Sequence, residues 1–152
     1  MTCVKYYDMR HAYILYLTQH KGGDNLILPC ETAAKVIIPA IRAYVARELV
    51  VTYDLKQEDV AKILGITQSA VSKYTSRTRG NILQVDGIQK VQPLLAELVT
   101  LAASDKTFSR NAYLEKFCEA CKTIRKTGLL CPLCKKVNTS MNIQECTFCT
   151  QI

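Results

Sequence analysis

The chain has no run of roughly 18 apolar residues, which excludes a helix that spans a bilayer. Its N-terminal stretch also lacks the continuous apolar core and small-residue cleavage site of a secretory leader. Lys5, Asp8, Arg10 and His11 interrupt it. A cytoplasmic location with no membrane partner is the expectation. Histidine is scarce: only His11 and His20 occur, at a spacing that suits neither a metal shell nor an acid–base pair. Surface or capping roles are expected for both. There is no glycine-rich phosphate loop. Carboxylates are scattered over helix faces, and Glu58 and Asp59 fall in a first helical turn, where the dipole favours them. These shortages leave an enzyme without support, and a non-enzyme is expected. Alternating, strand-like patterning is rare as well, so the fold class is expected to be mainly α.

What is present is a basic chain of 152 residues with formal net charge +7 and 49% hydrophobic residues. That is enough apolar material for one domain with a small appendage, and the charge suits a polyanionic partner. Residues 4–20 have mixed helical periodicity and carry Tyr6, Tyr7, Tyr13 and Tyr16, and Lys21-Gly22-Gly23-Asp24 ends them as a turn. A second amphipathic stretch begins near Cys30. Pro39 lies inside it, so a break, a kink or a restart is expected there. Ile38, Ile41, Val45, Leu49 and Val50 then recur at helical spacing, with Arg42 and Arg47 on the wet face.

Further on, Arg77-Thr78-Arg79-Gly80-Asn81 reads as a basic loop. Residues 86–103 carry an apolar stripe of Ile88, Val91, Leu94, Leu95, Leu98 and Leu101, with Pro93 pointing to a later helix start. The stripe suits either the core or a dimer interface. Ser104-Asp105-Lys106-Thr107 is a break, and a helix over about 108–124 leads into a cysteine-rich tail. The chain therefore divides into an extension over 1–28, a domain over 29–84, a helical connector or dimerisation region over 85–117, and a cysteine-rich tail over 118–152.

The most informative stretch runs from Leu55 to Tyr74. With Gln57 opening a first helix, Val60 and Leu64 share its buried face, and the small Ala61 lets a second helix approach. Gly65 falls at the turn, where a positive φ is required. Ile66 plugs the corner, Thr67 caps the second helix, and Val71 and Tyr74 face the core. The face left over is Gln68, Ser69, Ser72 and Lys73, with Thr67 at its start. Glutamine can pair with adenine in bidentate fashion, serine contacts several base edges, and lysine reaches guanine or phosphate. Gln57 is placed to anchor a phosphate, and Arg77 and Arg79 lie where the DNA backbone would pass.

In these residues the chain resembles the lambda-repressor/Cro-like helix-turn-helix family. More widely, Leu28-Pro29-Cys30-Glu31, Ile38-Pro39-Ala40-Ile41-Arg42-Ala43, the turn from Gly65 to Ser72, and Cys118-x-x-Cys121 with Cys131 resemble a family of small archaeal predicted transcriptional regulators. That resemblance covers roughly residues 28–134 and implies an archaeal DNA-binding regulator. The first 25 or so residues and the Cys146/Cys149 tail lie outside it.

Eight cysteines in a chain of this kind point to metal before disulfides. Three Cys-x-x-Cys pairs, Cys118/Cys121, Cys131/Cys134 and Cys146/Cys149, fall within about thirty residues. Cys118, Cys121, Cys131 and Cys134 make one four-thiolate set. Cys131, Cys134, Cys146 and Cys149 make another, with the spacing of a small zinc ribbon and a knuckle-like Cys-Pro-Leu-Cys. Cys30 is a candidate remote ligand, and Cys3 reads as a free thiol. Zinc is the first reading and an iron–sulfur cluster the second. Lys122, Arg125, Lys126, Lys135 and Lys136 are expected to lower the thiol pKa values.

The function expected is a sequence-specific DNA-binding transcriptional regulator whose metal site is structural or redox-sensing. It would bind double-stranded DNA as a homodimer on a pseudo-palindromic site, through residues 4–20 or 86–103. The alternative is an interaction module that docks on transcription machinery, with secondary DNA contact.

Overall fold

The computed structural model describes residues 27–104 and 109–151. The expected helix over 4–20, the turn at 21–24, Cys3, His11, His20 and the break at 105–107 lie outside the described residues. Among the described residues there are six helices and no strand: α1 (Pro29–Val51), α2 (Gln57–Leu64), α3 (Gln68–Thr75), α4 (Gln92–Ala103), α5 (Arg110–Lys126) and α6 (Cys131–Val137).

Helix α1 starts at Pro29, whose fixed φ suits a first helical position, and Glu31 Oε1 accepts a hydrogen bond from Leu28 N at 3.3 Å. Of the three expected outcomes at Pro39, the break and the restart do not occur: the helix runs on through it. An internal proline costs about 3 kcal/mol. Against that, eleven of its 23 side chains are buried. Full burial of side chains such as Ile37, Ile41 and Leu49 contributes about 1.5–3 kcal/mol each. The lost backbone bond is outweighed by packing. The buried set is too broad for one amphipathic stripe, and α1 touches all five other helices.

Around α1, α4 and α5 also pack on each other, as do α2 and α3. Helix α4 starts at Gln92, with Pro93 in its first turn, and residues 85–91 are turns. Val91 just before it and its Leu95 and Leu98 are buried, and Ile88, Leu94 and Leu101 pack partly buried against the same core. The stripe is thus core within a single chain. Helix α5 is capped by Ser109, whose Oγ accepts from Ala112 N at 3.3 Å. It runs two residues further than expected, so Cys118 and Cys121 sit inside a helix rather than at its end.

The tail returns to the start of α1. Asn138, only 8% exposed, clasps the backbone of Ile27 twice: its Oδ1 accepts from Ile27 N at 2.9 Å and its Nδ2 donates to Ile27 O at 2.7 Å.

The loop after α3 docks on α1 through Gly80. Its φ is +74°, and a Cβ there would lie 2.5 Å from Pro39 O and 2.6 Å from Ala43 Cβ. Gly65, at φ +63°, has nothing within 4 Å of such a Cβ. Gly65→Ala should therefore cost only the left-handed backbone, about 1–2 kcal/mol. Gly80→Ala should cost about 2–5 kcal/mol, because overpacking adds to it. Urea unfolding of the two variants checks this; equal losses would show that the close approach to α1 does not matter.

Candidate nucleic-acid interface and cysteine cluster

Helix α2 ends where its C-cap Gly65 adopts φ 63°, ψ 38°. Gly65 N donates to Lys62 O at 3.3 Å and Ile66 N to Ala61 O at 3.0 Å, the paired bonds of a glycine-terminated helix. Two residues later Thr67 caps α3, its Oγ1 accepting from Ala70 N at 3.1 Å. Val60, Ala61, Val71 and Tyr74 are buried between the two helices and α1. These local devices set the rotation of α3. Gln68, Ser69 and Lys73 are exposed and Ser72 is half-buried, as the sequence register requires.

One pairing was not foreseen. Gln68 Nε2 donates to Gln57 Oε1 at 3.0 Å, so the side chain expected on phosphate and the one expected on a base are joined. The bond occupies one of the two amide donors of Gln68 and leaves its carbonyl oxygen outside it. It ties the start of α2 to the start of α3.

The basic loop is ordered by its own backbone. Arg77 takes φ 57°, and Thr78 N and Arg79 N both donate to Lys73 O, at 3.0 and 3.1 Å. Asn81 Nδ2 donates to Arg77 O at 2.9 Å. The Arg79 guanidinium lies over the Tyr74 ring, 5.6 Å from its centroid. Both arginines are exposed. Sequence reasoning placed Arg47 merely on a wet face, whereas it is half-buried beside this loop. Burial and then the neighbouring Arg77 charge hold its pKa below the ordinary arginine value. No helical periodicity signals that meeting, since the two arginines come from separate elements. The result is a group of three arginines, Arg47, Arg77 and Arg79, next to the exposed row of α3, with Asp86 and Glu48 also facing Arg47.

The second cluster lies at the far end of α1. Cys131 and Cys134 sit in α6, which begins at Cys131 with Pro132 in its first turn, where a knuckle-like turn was expected. With Cys146 and Cys149 they line one cavity of about 50 Å³, to which Pro29 and Arg125 also contribute. Cys121 is half-buried on α5 and does not line the cavity, whereas Cys118 and Cys30 are exposed. Among the described residues no three His, Cys, Asp or Glu side chains meet in the geometry of a metal shell. The four thiols surround the cavity without forming a closed shell. The chemistry of the donor set nevertheless fits a thiophilic ion.

The expected lowering of thiol pKa values is not seen. Burial pushes Cys121, Cys131 and Cys134 up, and the neighbouring cysteines add to the rise. Arg125 acts in the expected direction, but only on Cys121, and the Thr32 hydroxyl partly offsets the rise at Cys134. Lys135 is engaged elsewhere: its Nζ donates to Thr139 O and Met141 O, both at 2.9 Å, which folds the tail back.

No family model, curated protein or solved structure matches the chain.

The cap at Thr67 is exposed and local, so its removal is readable. Thr67→Ala should cost about 1 kcal/mol of stability, and Thr67→Ser should retain most of it. Urea midpoints of both variants test this; an unchanged Thr67→Ala midpoint would mean that α3 does not depend on the cap.

Proposed function

We propose that this chain is a sequence-specific DNA-binding transcriptional regulator that reads duplex DNA with α3. In this reading α2, the Gly65 turn and α3 act as a lambda-repressor-like helix-turn-helix. The observation that carries it is the polar row of Gln68, Ser69, Ser72 and Lys73 on a helix whose opposite side is anchored by Val71 and Tyr74. The row has donors and acceptors suited to major-groove edges and no acidic group. Arg77, Arg79 and the adjacent Arg47 supply positive charge for the phosphates. The Gln57–Gln68 bond would present the Gln68 amide to a base in a fixed orientation, as a bidentate glutamine requires.

Two reading heads in a homodimer would give useful specificity on a pseudo-palindromic site. Since the 86–103 stripe lies in the core, the partner surface would come from other residues. The cysteine tail would hold zinc or an iron–sulfur cluster, structural or redox-sensing. The reading as a module that docks on transcription machinery draws support from Phe148 and Leu129, exposed at 62% and 45%, both within the tail.

Binding to duplexes selected from a random pool separates the readings. A specific reader should hold its selected duplex about 10³-fold more tightly than random DNA. Equal affinity for all duplexes would overturn the proposal. On the selected site Gln68→Ala should cost about 1–3 kcal/mol and relax the preference at one position. Arg79→Ala should weaken every duplex alike and reduce the salt slope by about 1.

A further inference from the structure

We infer that Cys131, Cys134, Cys146 and Cys149 together hold a single zinc ion, and that the Thr32 hydroxyl positions the Cys134 sulfur for it. This rests on the reading of the tail as a cysteine-ligated metal site; it chooses between the two cysteine sets that the sequence leaves open, and it commits to zinc.

Three observations carry it. The first is shared location. Both Cys-x-x-Cys pairs line one cavity, although they come from α6 and from the turn-rich tail. Cys118 and Cys30 are exposed, and Cys121 does not line the cavity. The second is the donor set. The four side chains are all thiols, and four thiolates would complete the tetrahedral shell of a structural zinc site.

The third is a pair of stranded donors. Among the described residues, two buried side-chain polar atoms lack a partner at hydrogen-bond geometry, Thr32 Oγ1 and Arg125 Nε. Thr32 is fully buried and lies beside Cys134, and Arg125 lines the cavity. A buried donor without a partner is destabilising. A neutral thiol is a weak acceptor, whereas a metal-bound thiolate is a good one. Thr32 Oγ1 lies where a Cys134 thiolate would satisfy it.

Charge points the same way. Four thiolates around Zn²⁺ carry a net negative charge, and Arg125 and Lys126 line the cavity that would hold it. The ion binds as the four thiols lose their protons to solvent, and no oxidant or reductant takes part. Held in this way, the tail would be locked to the first turns of α1.

The experiment uses the full chain under reducing conditions. Metal content is measured as purified, and the stripped protein is then titrated with Co²⁺ and with Zn²⁺. The expected result is one zinc per chain, and a tetrahedral cobalt spectrum with sulfur-to-cobalt charge-transfer bands. Cys134→Ser and Cys149→Ser should abolish that spectrum, while Cys30→Ser and the Cys118→Ser/Cys121→Ser pair should leave it unchanged. Thr32→Val, close in shape but without the hydroxyl, should weaken zinc about 10- to 100-fold, and Thr32→Ser should restore it.

Loss of the spectrum in the Cys118/Cys121 pair, with retention in Cys149→Ser, would overturn the assignment. Iron with acid-labile sulfide in the purified protein would overturn zinc. An unchanged affinity in Thr32→Val would remove the positioning role. No metal uptake at all would overturn the metal reading itself, and leaves DNA binding to be judged by its own assay. Circular dichroism on each variant guards against unfolding; if the serine ligand variants unfold, the Cys118/Cys121 and Thr32 arms still decide the outcome.

Discussion

Burial of α1 on most of its circumference is the constraint on which the remaining structure hangs. A helix that contacts every other helix has little surface left for water, and its sequence accordingly alternates small and branched side chains over almost its whole length. Ala33, Ala40, Ala43 and Ala46 let neighbours come close, and Val36, Ile37, Ile41, Val45 and Leu49 fill the gaps between them. The tolerance of Pro39 follows from this: a helix held from several sides does not need each of its own backbone bonds.

That rod is about 34 Å long at 1.5 Å per residue. Its last turn meets the start of the α2–α3 pair, where Leu55 N donates to Leu49 O at 3.1 Å. Its first turn borders the cysteine cavity through Pro29. Midway, Pro39 and Ala43 receive Gly80 and so fix the loop that carries Arg77 and Arg79. The two regions to which chemistry is assigned are therefore seated on one rigid element. Helix α1 is thus the element that joins the cavity to the exposed row of α3.

Legibility in the sequence divides along a physical line. The register from Gln57 to Tyr74 could be read because local rules govern it: a left-handed glycine, a hydroxyl cap and a small residue at a helix crossing each act within a few residues. What could not be read depends on partners distant in sequence. The unbroken course of α1 through Pro39 needs burial supplied by five helices. The meeting of Arg47 with Arg77, and of Thr32 with Cys134, crosses between elements. Cys121, Cys131 and Cys134 rise because burial is the largest effect on each, and a list of neighbouring charges contains no information on burial. The spacing of the cysteines identified the candidate ligands, but only the fold brings two of the three pairs around one space.

The clasp of Asn138 on Ile27 has a consequence for the order in which the molecule is made. It closes a span of 111 residues, whereas the α2–α3 pair closes over a handful. Long closures are entropically costly and slow, and short ones are fast. A chain emerging from its N-terminus has α1, α2 and α3 available to one another before residues 131–149 exist. The cysteine cavity is then the last part to be assembled. Its thiols therefore stay open to solvent, metal or oxidant until the clasp shuts.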